Sequence, residues 1–189
     1  AREVLVPLWN NNLAGGTAAG SYVWPWGGQT ISDISNYYAQ SNVDDVVGAV
    51  AYPGFKDYYL EGTGVDEIGW ELPVNTKTFG DNLQAALDNF TTVDFLQVAT
   101  WNDYGEGTIV EPTVENGFTF LEQLQDFTYI SRFGKSELEL IYDWYELTAD
   151  ESLDDHIEIQ NHIEQTFYHL VALDVDAARA EIVKIEELR

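Results

Sequence analysis

Residues 93–108, VDFLQVATWNDYGEGT, decide how the rest of the sequence is interpreted. The apolar run 93–100 predicts a buried strand, and the two glycines that follow predict a turn. Asp103 and Glu106 therefore lie just beyond a strand end, three positions apart. Their neighbours are Trp101, Asn102 and Tyr104. Catalytic groups of α/β folds lie at such strand ends, and paired carboxylates beside aromatic side chains are typical of sugar chemistry.

Apolar strands and amphipathic helices alternate along the first 130 residues. Strands are predicted at 4–9, 21–26, 46–52 and 93–100, and helices at 32–40 (capped by Ser32), 78–89 and 116–130. This order predicts parallel pairing of the strands. It corresponds to about half of a (β/α)8 barrel, which typically needs about 250 residues. We therefore expect an α/β fold, the C-terminal part of a (β/α)8 barrel. The first two strands lack a helix between them, which leaves a small open α/β sheet as the alternative.

The pattern changes after Phe133-Gly134, where three amphipathic helices are predicted at 136–148, 155–174 and 176–189. We expect two domains: a partial barrel at 1–132 and a small all-α extension at 133–189. The extension holds all three histidines, His156, His162 and His169. Their spacing does not match the i, i+4 pair of a zinc-binding helix, so a catalytic role is not expected.

The charge balance excludes several classes of partner. Eight basic residues against 33 acidic ones give the 189-residue chain a net charge of −25. A nucleic-acid-binding protein needs a basic face that displaces phosphate counterions, and an anionic membrane surface repels so acidic a protein. We therefore expect neither nucleic acid nor membrane as a partner.

Composition adds three expectations. The chain has no cysteine, so disulfides and thiolate metal sites are excluded. No apolar run approaches the roughly 20 residues that span a bilayer. The start, Ala1-Arg2-Glu3, lacks the order of a signal peptide, and the absence of methionine indicates a processed product or a piece of a longer protein.

Further candidates for sugar contact follow the other predicted strands. Trp24, Trp26 and Tyr52 would share the barrel rim with the two carboxylates and could stack on sugar faces. Positions in the barrel core are the equal alternative for each of them. Trp9 and the run Asn10 to Asn12 fit the same rim less well. Glu111 could orient an acid or a sugar hydroxyl. Equally, its negative charge could stabilise the start of the next helix.

No metal or cofactor is expected. The acidic residues of the long loop after the third strand lack the alternating spacing of a calcium loop. They are Asp57, Asp66, Glu67 and Glu71. Glycine-rich phosphate loops and the G-x-S-x-G elbow are also missing from the sequence. A loop of this length is nevertheless often functional.

The string Thr100 to Glu106, TWNDYGE, resembles the signature of the glycoside hydrolase family 71 α-1,3-glucanases. The continuation Gly107 to Pro112, GTIVEP, looks more like the family 99 endo-α-mannosidases. The segments 22–26 and 52–55 are similar to the same group, with less specificity. The chain thus resembles a family 71/99-like glycoside hydrolase over about residues 1–130. The helical extension is not part of this resemblance.

This resemblance implies a (β/α)8 barrel that cleaves α-linked glucan or mannan without a cofactor, in a secreted or periplasmic protein. Glu106 matches the general acid and Asp103 the second carboxylate. In family 71 that second group would activate water, with inversion; in family 99 it assists the sugar's own 2-hydroxyl, with retention. The first half of the barrel would be a missing partner. A glycan-binding module without catalysis and an inactive fragment of a longer glycosidase are the alternatives.

Overall fold

The computed structural model describes residues 19–40, 46–63, 68–129 and 133–189. The chain divides into two compact units, Ala1–Phe127 and Thr128–Arg189, called here the first and second units. The expected strand at 4–9, with Trp9 and the asparagine run, lies outside the described residues, as do Asp66, Glu67 and position 132. Within the described ranges, no helix is long and apolar enough to cross a membrane.

The first unit has α/β architecture, as the alternating pattern predicts. Its elements are β1 Gly20–Tyr22, α1 Ile31–Gln40, β2 Val46–Ala51, α2 Tyr59–Thr63, α3 Thr76–Asp88, β3 Phe95–Val98, β4 Asn102–Asp103, β5 Thr108–Ile109 and α4 Thr119–Phe127. Strands β1, β2 and β3 form a parallel sheet in chain order. Helix α3 packs against β2, α1 and α4. Neighbouring helices therefore cover the same face of the sheet.

Strand β2 forms the centre of the sheet and of the core. Residues 47–51 are all buried, as the uninterrupted apolar run predicts. Ile34 and Tyr38 of α1 pack on this strand together with alanines of α3. Burying a side chain such as Ile34 contributes about 1.5–3 kcal/mol. The Tyr38 hydroxyl accepts a hydrogen bond from the Val50 N–H at 3.1 Å, which satisfies a backbone donor beyond the end of β1.

Strand β3 differs from the prediction of a buried strand. Phe95 is 40 % exposed and Val98 37 % exposed. In the part of the chain that the structure describes, β3 pairs only with β2 and is an edge strand. Apolar composition predicts the strand correctly, but it does not predict how many neighbours the strand has.

Several element ends also differ from the sequence prediction. Helix α1 is capped by Thr30 rather than Ser32: the Thr30 N–H donates to Asp33 Oδ2 at 2.8 Å, and the Asp33 N–H donates to Thr30 Oγ1 at 3.2 Å. Strand β1 ends at Tyr22, before the Trp-Pro-Trp segment, and α4 ends at Phe127. The hairpin of β4 and β5 was not predicted, because two-residue strands carry too little periodicity.

The second unit consists of the three helices that the apolar stripes predict. They are α5 Lys135–Ala149, α6 Ile157–Val171 and α7 Val175–Leu188, with a 3-10 turn at Glu151–Leu153. Their inward residues include Leu140, Ile163 and Ile185. Of the three histidines, His162 contacts Glu181 Oε2 through Nδ1 at 2.5 Å, and the Lys184 ammonium donates to Glu181 Oε1 at 2.6 Å.

Candidate active site

Three loops meet at one edge of the first unit's sheet, because parallel strands place their carboxyl ends on the same side. The loop after β2 is joined to the turn after β3 by two backbone hydrogen bonds. The Lys56 N–H donates to the Glu106 carbonyl at 2.9 Å, and the Tyr58 N–H donates to the Gly105 carbonyl at 3.0 Å. In the loop after β1, a Cβ on Gly27 would lie 2.7 Å from the Trp70 ring, so glycine permits this close approach.

The turn between β4 and β5 is held by Thr100. Its Oγ1 donates to the Thr108 carbonyl at 2.6 Å and accepts the Asp103 N–H at 3.0 Å. The Ala99–Thr100 peptide bond is cis. Gly107 has φ +60, and a Cβ there would lie 3.1 Å from the Lys56 Cβ. The turn needs glycine at this position for both its conformation and its contact with the neighbouring loop.

Glu106 is a half-buried carboxyl group with a tyrosine partner and a perturbed pKa. Its Oε1 accepts a hydrogen bond from the Tyr59 hydroxyl at 3.2 Å. Burial raises the pKa of Glu106 above its ordinary range, and the negative charge of Asp103 raises it further. The Tyr59 hydrogen bond acts in the opposite direction, and Asp57 adds a smaller increase to the same pKa. A carboxyl group with a raised pKa stays protonated at a pH where an ordinary glutamate has lost its proton.

Asp103 has a structural contact as well as a free oxygen. Its Oδ1 accepts the Glu106 N–H at 3.0 Å, which closes the turn. Its Oδ2 has no hydrogen-bond partner among the residues that the structure describes. The sequence offered two interpretations of this carboxylate, as a turn residue and as a catalytic base, and the geometry accommodates both. One oxygen fixes the backbone of Glu106 while the other is available to a water or a sugar hydroxyl.

Two residues of this site, Tyr59 and Asp57, were not singled out by the sequence analysis for these contacts. Asp57 accepts three backbone N–H groups: Tyr59 at 3.2 Å to Oδ1, Gly69 at 3.1 Å to Oδ2, and Ile68 also to Oδ2. It thereby closes the base of the loop that presents Tyr59. The available signal was the position of this tyrosine-rich loop after a predicted strand, at the same sheet edge as the paired carboxylates.

Four of the predicted sugar-contacting residues lie on or beside the turn. Trp101 is 52 % exposed and Tyr104 58 % exposed, so each presents ring surface to solvent. The Tyr104 hydroxyl donates to Glu111 Oε2 at 2.9 Å, which brings these two candidates together. Asn102 is exposed in β4, opposite Ile109. Charge and hydrogen bonding at Glu111 raise the pKa of the Tyr104 hydroxyl.

The candidates on the other two strands differ from one another. Trp24 and Trp26 are half-buried and pack against the core cluster around β2. Tyr52 is only 3 % exposed, and its hydroxyl donates to Gln29 Oε1 at 2.7 Å. A ring so buried has no face free for a sugar. For Tyr52 the structure therefore contradicts the sugar-contacting prediction and favours the alternative, a position in the core.

Within the described residues, no group of three or more histidine, aspartate or glutamate side chains has the arrangement of a metal site. Asp57, one of the loop acids considered for calcium, already has both oxygens bonded to backbone N–H groups.

No protein-family model matches the sequence, and no curated protein matches it. Two solved structures resemble the chain, and both are of a GH99 endo-α-mannosidase from Bacteroides thetaiotaomicron. The first, in complex with BIS-TRIS-propane, has a TM-score of 0.48 and 14 % identity over 64 % of this chain and 43 % of that one. The second has a TM-score of 0.44 and 16 % identity over 62 % and 41 %.

The chain thus spans less than half the length of these two enzyme structures.

Proposed function

We propose that the chain is part of a glycoside hydrolase of the (β/α)8 type that cleaves an α-linked glucan or mannan. The observation that carries this proposal is the state of Glu106. It is a half-buried carboxyl with a raised pKa, hydrogen-bonded to Tyr59 and adjacent to Asp103, at the carboxyl edge of a parallel sheet. A carboxyl group of raised pKa beside a second carboxylate at such an edge is characteristic of acid–base catalysis.

In the proposed reaction Glu106 is the general acid. Its proton passes to the glycosidic oxygen as the bond between that oxygen and the anomeric carbon breaks. Asp103 Oδ2 then acts in one of the two ways that the sequence leaves open. Either it takes a proton from the water whose oxygen bonds to the anomeric carbon, or it takes the proton of the sugar's own 2-hydroxyl as that oxygen bonds to the anomeric carbon. In the second case water then bonds to the anomeric carbon as its bond to O2 breaks, O2 recovers its proton from Asp103, and the Glu106 carboxylate takes the water's proton.

The sheet supports the barrel form of this proposal. In a barrel, consecutive βα units place their strands side by side in chain order and their helices on one face of the sheet. The first unit has the same arrangement. A doubly wound sheet reverses its strand order and places helices on both faces. The free edge of β3, with Phe95 and Val98 exposed, is where a further strand of a closed barrel would pair. The remaining strands of the barrel are therefore the partner that the proposal requires.

Substrate contact is assigned to the predicted residues that keep accessible side chains. Trp101 and Tyr104 offer exposed rings, and Asn102 and Glu111 offer polar groups beside them. Trp24 and Trp26 contribute from the loop after β1. Aromatic rings pack against the apolar faces of sugars, and the surrounding amide and carboxylate groups bond to hydroxyls.

A glycan-binding module without catalysis is the second candidate, and one contact favours it. Asp103 Oδ1 is bonded to the Glu106 N–H, which is the contact that a purely structural turn would also make. In such a module the exposed rings would hold the glycan and no bond would break.

The experiment that separates the two measures reducing-end release from α-1,3-glucan and from α-mannan by the intact protein. Replacing Glu106 by Gln should lower release about 10²- to 10⁴-fold, the usual contribution of a general acid, while circular dichroism stays unchanged. Glu122→Gln, on α4, is the matched control and should retain wild-type rates. Glycan binding without release by the wild-type protein would favour the binding module, and near-wild-type release by Glu106→Gln would exclude Glu106 as the acid.

A further inference from the structure

A groove in the first unit lies beside the candidate active site, and neither Asp103 nor Glu106 is among its lining residues. It has a volume of about 740 Å³, within the range of roughly 300–1,000 Å³ typical of ligand sites. Tyr104 and Gly107 belong both to this groove and to the turn that carries the two carboxylates. A chain-like ligand lying in the groove would therefore continue past the catalytic pair.

The groove concentrates exposed apolar surface on an otherwise acidic protein. Tyr58 is 39 % exposed, Val74 38 %, Tyr104 58 % and Val114 fully exposed. Contiguous exposed apolar patches of this kind mark binding sites. The lining also includes the polar side chains of Thr113 and Asn116.

Lys56 supplies the groove's only basic side chain. Its Nζ lies 5.3 Å from the centroid of the Tyr58 ring. Among the described residues it has no carboxylate partner, whereas Lys77, the other lysine of the first unit, pairs with Asp81. The Lys56 ammonium can therefore donate hydrogen bonds to a bound molecule. Glu115, also in the lining, offers acceptor oxygens and, with the net charge of −25, disfavours an anionic ligand.

We propose that this groove is a binding subsite for neutral sugar units of an α-linked glycan, on one side of the bond that is cleaved. A pyranose has apolar C–H faces that pack on tyrosine rings and hydroxyls that bond to ammonium, amide and carboxylate groups. The groove offers both kinds of surface. The inference takes its ligand class from the proposed function, and its test distinguishes the two.

The test measures binding by the intact protein carrying Glu106→Gln, so that no substrate is consumed. The probes are an α-1,3-linked glucohexaose and an α-linked mannohexaose, titrated by calorimetry. We expect Tyr58→Ala to weaken binding of the preferred hexasaccharide about 5- to 10-fold, as expected for loss of one aromatic contact. Tyr145→Ala is the control and should leave the affinity unchanged, since Tyr145 is an exposed tyrosine of the second unit (58 % exposed).

The outcomes separate the groove from the catalytic assignment. A fall in affinity with Tyr58→Ala supports the groove even if the wild-type protein releases no reducing ends, in which case the hydrolase proposal fails alone. Hydrolysis by the wild-type protein together with an unchanged affinity of Tyr58→Ala would overturn the groove alone. If neither hexasaccharide binds, the groove proposal is also overturned. As a second variant, Val114→Glu places a charge at a fully exposed position and should weaken binding without affecting folding.

Discussion

Glu106 in the first unit and Glu181 in the second are the same side chain in opposite electrostatic settings. Burial and the charge of Asp103 raise the pKa of Glu106. The Lys184 ammonium lowers the pKa of Glu181, and His162 lowers it further. The surroundings of Glu181 therefore favour its charged form, whereas the surroundings of Glu106 favour its protonated form.

The difference shows how a strongly acidic chain distributes its few cations. With eight basic residues for 33 acidic ones, most carboxylates cannot have a cationic partner. Exposed carboxylates need none, because water solvates them. Glu106 is half-buried beside a like charge, and this arrangement costs folding free energy whatever the use of the site. That cost is the physical reason for regarding the pair as functional rather than as two surface acids.

The largest effect should come from removing the like charge. Asp103→Asn is expected to lower glycan hydrolysis about 10²- to 10⁴-fold, because it removes the second carboxylate. It should also lower the pKa of Glu106, which a ¹³C titration of the carboxyl carbon measures directly. Glu181→Gln is the contrasting change and should leave hydrolysis unaltered. A Glu106 pKa that does not move in Asp103→Asn would contradict the assigned coupling.

A smaller effect is expected from Tyr59→Phe, which removes the hydrogen bond to Glu106. That bond favours the charged carboxylate, so its loss should raise the pKa of Glu106 further. Because the general acid must be protonated, activity falls as pH rises through this pKa, and the alkaline limb of the pH–rate profile should move to higher pH. The maximal rate should fall about tenfold, from the loss of one hydrogen bond to a charged group.

Tyr145→Phe, in the second unit, is the control for this measurement and should leave the alkaline limb in place. An alkaline limb that moves to lower pH, or does not move in Tyr59→Phe, would show that Tyr59 does not set the protonation of Glu106.

The smallest effect concerns the second unit. Because its folded-state pKa is lowered, Glu181 contributes stability above the ordinary glutamate pKa of about 4.3, and this contribution is lost as pH falls through the lowered value. Glu181→Gln should therefore destabilise α6 and α7 at neutral pH by about 1 kcal/mol or less, and the difference from wild type should vanish in acid. Amide hydrogen exchange of these helices at several pH values measures it, and Lys184→Gln should have a similar effect. A difference that persists in acid would exclude the ion pair as its source.

The parts of the fold that sequence predicts are those with a strong local pattern. Val46–Ala51 is recognisable because all six residues fit a strand buried on both faces. Helices α5, α6 and α7 follow from their apolar stripes. The exposure of β3 was not predictable, because the number of neighbouring strands depends on chain far from the strand itself.

The candidate site divides in the same way. Asp103 and Glu106 are close in sequence, so their spacing and the preceding strand indicate them together. Tyr59 is 47 positions from Glu106, and only the tertiary structure reveals their hydrogen bond. For Tyr52 the sequence leaves two positions open, because a tyrosine at a strand end can lie on the rim of a barrel or in its core. The hydrogen bond from its hydroxyl to Gln29 places it in the core.

The three hydrogen bonds to Asp57 have a consequence for protein engineering. They close the loop after β2 at its base, while Lys56 and Tyr58 anchor that base to the turn holding Glu106. Extra residues inserted into the loop, away from this base, would leave the anchored segment intact. Doubling a loop's length costs only about 0.6 kcal/mol of closure entropy. The loop is thus a position where libraries of different length can be introduced while the turn that holds Glu106 stays in place.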